Sequence, residues 1–146
     1  MRFEGTERVA AAQPKVWAFL MDPQQVGTCG PGVESVEPVD ATHFKARATV
    51  GVGFIKARFN VDMEMADLRE PDAATIKAHG QAPGSAVDAT ATMQLTPDGP
   101  DATTLAWAAD VNISGTLASV GARLIQGTAE KMIRQTFDCI RTKLEA

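Results

Sequence analysis

Between residues 54 and 68 apolar and polar side chains alternate: Ile55, Ala57, Phe59, Val61, Met63 and Met65 against Lys56, Arg58, Asn60, Asp62 and Glu64. A period of two over this length predicts a long antiparallel strand with one buried face. The same period predicts strands over residues 2–9, 33–39 and 43–52, and near 74–81, 86–95 and 103–113. Asp40-Ala41, Gly51 to Gly53, Pro71-Asp72, Pro83-Gly84-Ser85 and Pro97-Asp98-Gly99-Pro100 supply the turns between them. The inner sets are Phe44, Ala46, Ala48, Val50 and Val52; Ile76 and Ala78; Val87, Ala89, Ala91, Met93 and Leu95; and Leu105, Trp107, Ala109, Val111 and Ile113.

Two stretches break the period. Pro14 suits the first turn of a short helix over residues 14–21, whose Val16, Trp17, Phe19 and Leu20 are apolar and which Asp22-Pro23 ends. One more helical turn then leads into a tight loop rich in Gly27, Gly30, Pro31 and Gly32. From about Thr116 the period becomes 3.6, with Leu117, Val120, Leu124, Ile125, Ala129, Met132, Ile133, Phe137, Ile140 and Leu144 on one stripe and Ser114 as the expected N-cap. Arg123, Glu130, Lys131, Arg134, Asp138, Arg141 and Lys143 make up the opposite face, read as solvated. The predicted fold is α+β: a curved seven-stranded antiparallel sheet wrapped around a long C-terminal helix, with two short helices after strand 1, all in one domain over 1–146.

Composition narrows the function. With 45% apolar and 22% charged residues the chain reads as a soluble globular protein. A net charge of −4 without a Lys/Arg cluster argues against nucleic acid. No stretch approaches the eighteen or so apolar residues of a membrane helix, and the expected location is cytoplasmic. Cys29 and Cys139 stand far apart without a CxxC pair or a histidine cluster, so two free thiols and no metal site are expected. His43 and His79 fall on polar strand faces, as do Asp62, Glu64 and Asp110, and no HExxH, GxSxG, P-loop or dinucleotide fingerprint occurs. Hence neither catalytic residues nor a cofactor are expected.

The predicted inner face is built largely from small residues, Ala46, Ala48, Ala57, Ala78, Ala89, Ala91 and Ala109, beside the larger Phe59, Met63, Met65, Met93 and Trp107. Such a surface has two outcomes. Gly115, Gly121 and Gly127 let the helix sink onto the alanines and close the space, or the helix stands off and leaves a pocket in the roughly 300 to 1,000 Å³ range of ligand sites.

The order of elements resembles the START-like helix-grip superfamily (SRPBCC), and its motifs resemble the family of the carbon monoxide dehydrogenase G subunit. The matching segments are Phe3-Glu4-Gly5, Pro14-Lys15-Val16-Trp17, Asp22-Pro23 and Cys29-Gly30-Pro31-Gly32-Val33-Glu34-Ser35. Further on they are Val50-Gly51-Val52-Gly53-Phe54-Ile55-Lys56, Gly115-Thr116-Leu117-Ala118 and Gly121-Ala122-Arg123-Leu124-Ile125. Gly30 departs from the family, where that position usually holds a larger apolar residue. Some members continue into a membrane-associating tail; this sequence runs to Ala146, and a tail-dependent membrane role is not expected of it.

The resemblance implies a non-enzymatic accessory of a molybdenum hydroxylase that binds an apolar molecule, an isoprenoid quinone or lipid-like compound, with peripheral contact at the inner membrane surface. The expected ligand-binding residues are Phe44, Ala46, Ala57, Phe59, Val61, Met63, Ala78, Ala91, Met93, Trp107, Ala109, Val111, Leu117, Val120 and Leu124. The expected cavity entrance is Cys29, Pro31 and Gly32, beside the start of the last helix. An assembly factor working through its surface is the first alternative. A polyketide-cyclase-type enzyme is the second, with no inward acid or base evident to support it; activity lost on mutating an inward polar residue such as Thr90, given a register shifted by one, would revive it.

Overall fold

The computed structural model describes residues 1–145. Strand β1 (Arg2–Val9) leads into helices α1 (Gln13–Leu20) and α2 (Pro23–Val26) and a 3-10 turn (Gly27–Cys29). Strands β2 (Val33–Pro38), β3 (His43–Val52), β4 (Ile55–Arg69), β5 (Ala73–Ala82), β6 (Ser85–Pro97) and β7 (Thr103–Gly115) follow. A second 3-10 turn (Thr116–Val120) and helix α3 (Ala122–Leu144) complete the order. The sheet runs β1-β7-β6-β5-β4-β3-β2, antiparallel at every step. Short connections force the meander from β2 to β7, and β1 pairs with β7, which leaves β2 at the opposite edge.

The period of two fixes which face is covered. Phe44 pairs with Met63, Met63 with Ala78, Ala78 with Ala89, Ala89 with Val111, and Ala91 with Ala109. Every predicted inner residue on β3, β4, β6 and β7 therefore shares one face. Thr90 lies opposite Lys77 and Asp110 on the other face, so the register of β6 is not shifted by one.

The boundary of the last helix differs from expectation. Ser114 is not its N-cap: β7 runs to Gly115, the 3-10 turn intervenes, and Gly121 caps α3. Gly115 (φ 84°) and Gly121 (φ 100°) bracket that turn in a left-handed region that side-chain-bearing residues rarely adopt. A Cβ on Gly115 would collide with the carbonyl of Gly84, so the β5–β6 hairpin also demands glycine there.

Packing divides the interior in two. At the end where β1 stops and β7 starts, Val9, Val16, Trp17, Phe19, Leu20, Leu95, Leu105, Ile140 and Leu144 form one apolar cluster. Thr103, fully buried there, donates its hydroxyl to the Ala11 carbonyl at 2.8 Å. At the opposite end Val52, Phe59, Leu117 and Ile125 form a second cluster.

Candidate ligand-binding site

Helix α3 touches the sheet at its two ends. Ile125 packs with Val52 of β3 and Phe59 of β4, while Ile140 and Leu144 pack with Val9 and Leu105 on β1 and β7. Its backbone comes near the sheet at β3 and at β1. About 22 Å of helix separates Ile125 from Ile140, at 1.5 Å per residue. Beneath that span lie the small residues of the central strands.

Those residues are not packed out. Met63, Ala78, Ala89, Ala91, Ala109 and Val111 belong to neither apolar cluster, and each stays partly exposed although it faces the helix. Of the two outcomes open to such a face, the one in which glycines bring helix and sheet together does not occur. A Cβ built on Gly121 or Gly127 meets nothing within 4 Å, and Gly115 is set by the hairpin beside it. Gly121 and Gly127 are themselves exposed, so the space over the alanines is read from the partial exposure of the central-strand residues and not from the glycines.

The expected ligand-lining residues fall into four groups. Phe44, Ala46, Phe59 and Leu117 are buried in the walls. Ala57, Val61, Met63, Ala78, Ala91, Ala109 and Val111 line the partly exposed floor, and Val120 is half-buried at the rim. Met93 and Trp107 close one end against the first cluster, where Trp107 stacks on Phe137 with ring centroids 5.7 Å apart. Gly5 on β1 accommodates that indole, since a Cβ there would lie 3.1 Å from the ring. The Trp107 Nε1–H is buried without an acceptor, which gives this apolar wall one unmet polar demand. Leu124 departs from its expected place: it is 44% exposed at the start of α3.

The expected entrance residues differ more. Pro31 is half-buried and Gly32 exposed, but Cys29 is 4% exposed and bonded to Cys139. The expectation of two free thiols is thus corrected. The 3-10 turn lays Cys29 against the C-terminal half of α3, and the two Cα atoms come to 5.4 Å, within the usual disulfide span. A separation of 110 residues offers no local sequence signal for this pairing.

Two charged residues escape sequence reasoning for a related reason. Glu7 pairs with Leu105 in the β1–β7 ladder and so takes an inward position on a strand whose apolar positions are Phe3, Gly5 and Val9. Arg141, expected on a solvated face, donates from Nη2 to Glu7 Oε2 at 2.7 Å and from Nε to the Arg8 carbonyl at 3.3 Å. Lys15 Nζ donates to the Leu144 carbonyl at 3.0 Å, and the Ala10 N–H to Glu145 Oε2 at 2.9 Å. These contacts fasten the C-terminal end of α3 to β1 and α1.

A further set of titratable groups sits on the outer face of the sheet and its loops. His79 Nδ1 lies 2.5 Å from Asp88 Oδ1, and Asp62, Glu64 and Asp110 share that face. At the β2–β3 turn the Thr42 N–H and the His43 ring hold the Asp40 carboxyl down at about 2, and Asp40 in turn raises His43. No group of three or more metal-binding side chains occurs among the described residues. Nor is any of their helices long and apolar enough to cross a membrane.

Residues 5–145 match the family of the carbon monoxide dehydrogenase G subunit (CoxG). The chain belongs to that family. No curated protein matches this CoxG-family chain. Among solved structures, a conserved protein from Geobacillus kaustophilus superposes with a TM-score of 0.92 at 24% identity, covering 99% of this chain and 95% of that one. The Zhui aromatase/cyclase from Streptomyces sp. R1128 gives 0.74 at 16% identity, with 99% and 93% coverage. A START superfamily protein from Mycobacterium smegmatis gives 0.72 at 14% identity, with 99% and 97% coverage. At these identities the likeness concerns the fold: the CoxG-family chain has the START-like, helix-grip architecture.

Proposed function

We propose that this CoxG-family protein holds an apolar molecule, an isoprenoid quinone or fatty-acid-like compound, between its sheet and α3, and does so as a non-enzymatic accessory of a molybdenum hydroxylase at the cytoplasmic face of the membrane. The observation that carries the reading is the partly exposed apolar floor from Met63 to Val111 under a helix fixed at both ends. Apolar surface held open in this way is stabilised when a ligand removes it from water, by about 25 cal/mol per Å² covered. The hydroxylase as partner and the quinone as ligand class come from family membership.

Native mass spectrometry of the purified protein, before and after incubation with a short-chain naphthoquinone, tests the reading. A bound apolar mass in the wild-type protein, reduced about ten-fold or more in Ala109→Leu, is the expected result. Persistent absence of any adduct in the wild-type protein contradicts it. An Ala109→Leu protein that still co-purifies with the hydroxylase while empty favours the surface-acting assembly factor.

A further inference from the structure

Phe54 is 98% exposed at the tip of the β3–β4 hairpin. A fully exposed phenyl ring on a protruding turn forfeits the benefit of burial, so its place there calls for a reason. The hairpin is not free-standing: Gly53 (φ 62°) reverses the chain, and a Cβ on it would lie 3.0 Å from Leu124 Cδ2. Leu124, at 44% exposure, extends the apolar tip onto the first turn of α3, where Val120 lines the same groove.

The charge around this tip is one-sided. The end of the molecule formed by residues 50–57, 82–86 and 113–128 contains Lys56 and Arg123 and no acidic residue, in a chain whose net charge is −4. Lys131 adds a third cation to the groove that holds Leu124. The nearest acids are engaged. Glu34 accepts hydrogen bonds from Thr49 at 2.5 Å and Arg58 at 3.3 Å, and Glu130 accepts one from Gln126 at 3.2 Å.

We infer that this tip is a docking surface for an anionic lipid bilayer. Phe54 and Leu124 enter the boundary between headgroups and acyl chains, while Lys56, Arg123 and Lys131 rest on the lipid phosphates. An aromatic ring beside basic side chains is the combination suited to that interface. The surface belongs to the folded domain and needs no terminal tail. It rests on the membrane location in the proposed function, for which it names the surface, and not on the ligand; where the ligand reading also holds, the docked tip places the N-terminal end of α3, which covers the ligand space, against a store of apolar molecules.

Flotation with vesicles tests the inference, comparing phosphatidylcholine alone with phosphatidylcholine mixed with phosphatidylglycerol. The wild-type protein floats with the anionic vesicles only, and less so as salt is raised. Phe54→Ser lowers partitioning about ten-fold or more, given the transfer energy of a buried phenyl group. Lys56→Gln and Arg123→Gln each lower it about five-fold. Because these side chains are exposed, the thermal midpoint of each variant stays at the wild-type value, which separates loss of docking from loss of fold. Three results overturn the inference: no flotation of the wild-type protein with anionic vesicles, equal flotation of Phe54→Ser, or a concentration-dependent dimer that Phe54→Ser abolishes without any vesicle binding. Quinone uptake from detergent, measured on the same variants, is unaffected if docking alone is lost.

Discussion

The two ends of α3 are held in different ways. Its C-terminal end carries the Cys29–Cys139 bond, the Arg141–Glu7 ion pair, the Lys15 contact to the Leu144 carbonyl, and Lys143 against the Thr28 hydroxyl. At its N-terminal end the helix itself rests on apolar packing of Ile125 against Val52 and Phe59; the 3-10 turn that joins it to β7, with a positive-φ glycine on each side, is tied to the β5–β6 hairpin by the Thr116 N–H to the Gly84 carbonyl at 2.8 Å and the Leu117 N–H to the Ser85 hydroxyl at 3.0 Å. Directional and covalent contacts select one geometry, whereas apolar contacts are non-directional. The contrast gives the grip a fixed end and a yielding end, and the yielding end is the one beside Phe54.

Breaking the covalent part of the fixed end has the largest expected effect. Cys139→Ser, or reduction by a dithiol, releases a loop of 110 residues and lowers unfolding free energy by about 2–4 kcal/mol. Urea denaturation of oxidised and reduced protein measures this; equal midpoints would show that the fixed end does not rely on the bond. Arg141→Met has a smaller effect, about 1 kcal/mol, because the pair with Glu7 is only part-buried, with side-chain exposures of 30% and 27%. The same denaturation experiment reads it, and the loss shrinks in the Glu7→Gln background if the pair is the cause.

The smallest effect lies away from α3 and serves as a control on the comparison. The exposed Asp40–His43 turn contributes most between the ordinary values of 3.8 for Asp40 and 6.5 for His43. Asp40, depressed to about 2, loses its contribution as pH falls through that value; His43, raised, loses its own as pH rises through its folded value. NMR titration of the His43 ring shows the upward shift, and Asp40→Asn removes it without disturbing α3.

Much of the sheet is legible in the sequence because period-2 alternation specifies a face as well as a strand. From Ile55 to Met65 each inward residue can be named from the sequence, and the ladder places Thr90 outside for the same reason. Contacts made across the chain are not legible. Cys29 and Cys139, or Glu7 and Arg141, meet only after β1, the 3-10 turn and α3 have packed, and a charged residue on an amphipathic helix gives no sign of which partner awaits it. The alternation makes Phe54 the first residue of a strand, and only the backbone reversal at Gly53 shows that it projects from the tip. The alanine face poses a question that spacing does not answer. The partial exposure of Met63, Ala78, Ala89, Ala91, Ala109 and Val111 answers it, since a helix pressed onto the sheet would bury them.

The central claim, that the span between the two ends of α3 covers a ligand space, is tested most directly by fluorescence of the Trp17→Phe protein. Trp107 is then its single tryptophan, standing at one end of that space. Titration with a short-chain naphthoquinone is predicted to quench Trp107 saturably, with quenching abolished by Ala109→Leu. Quenching that rises linearly without saturation, or that is the same in both proteins, would contradict it.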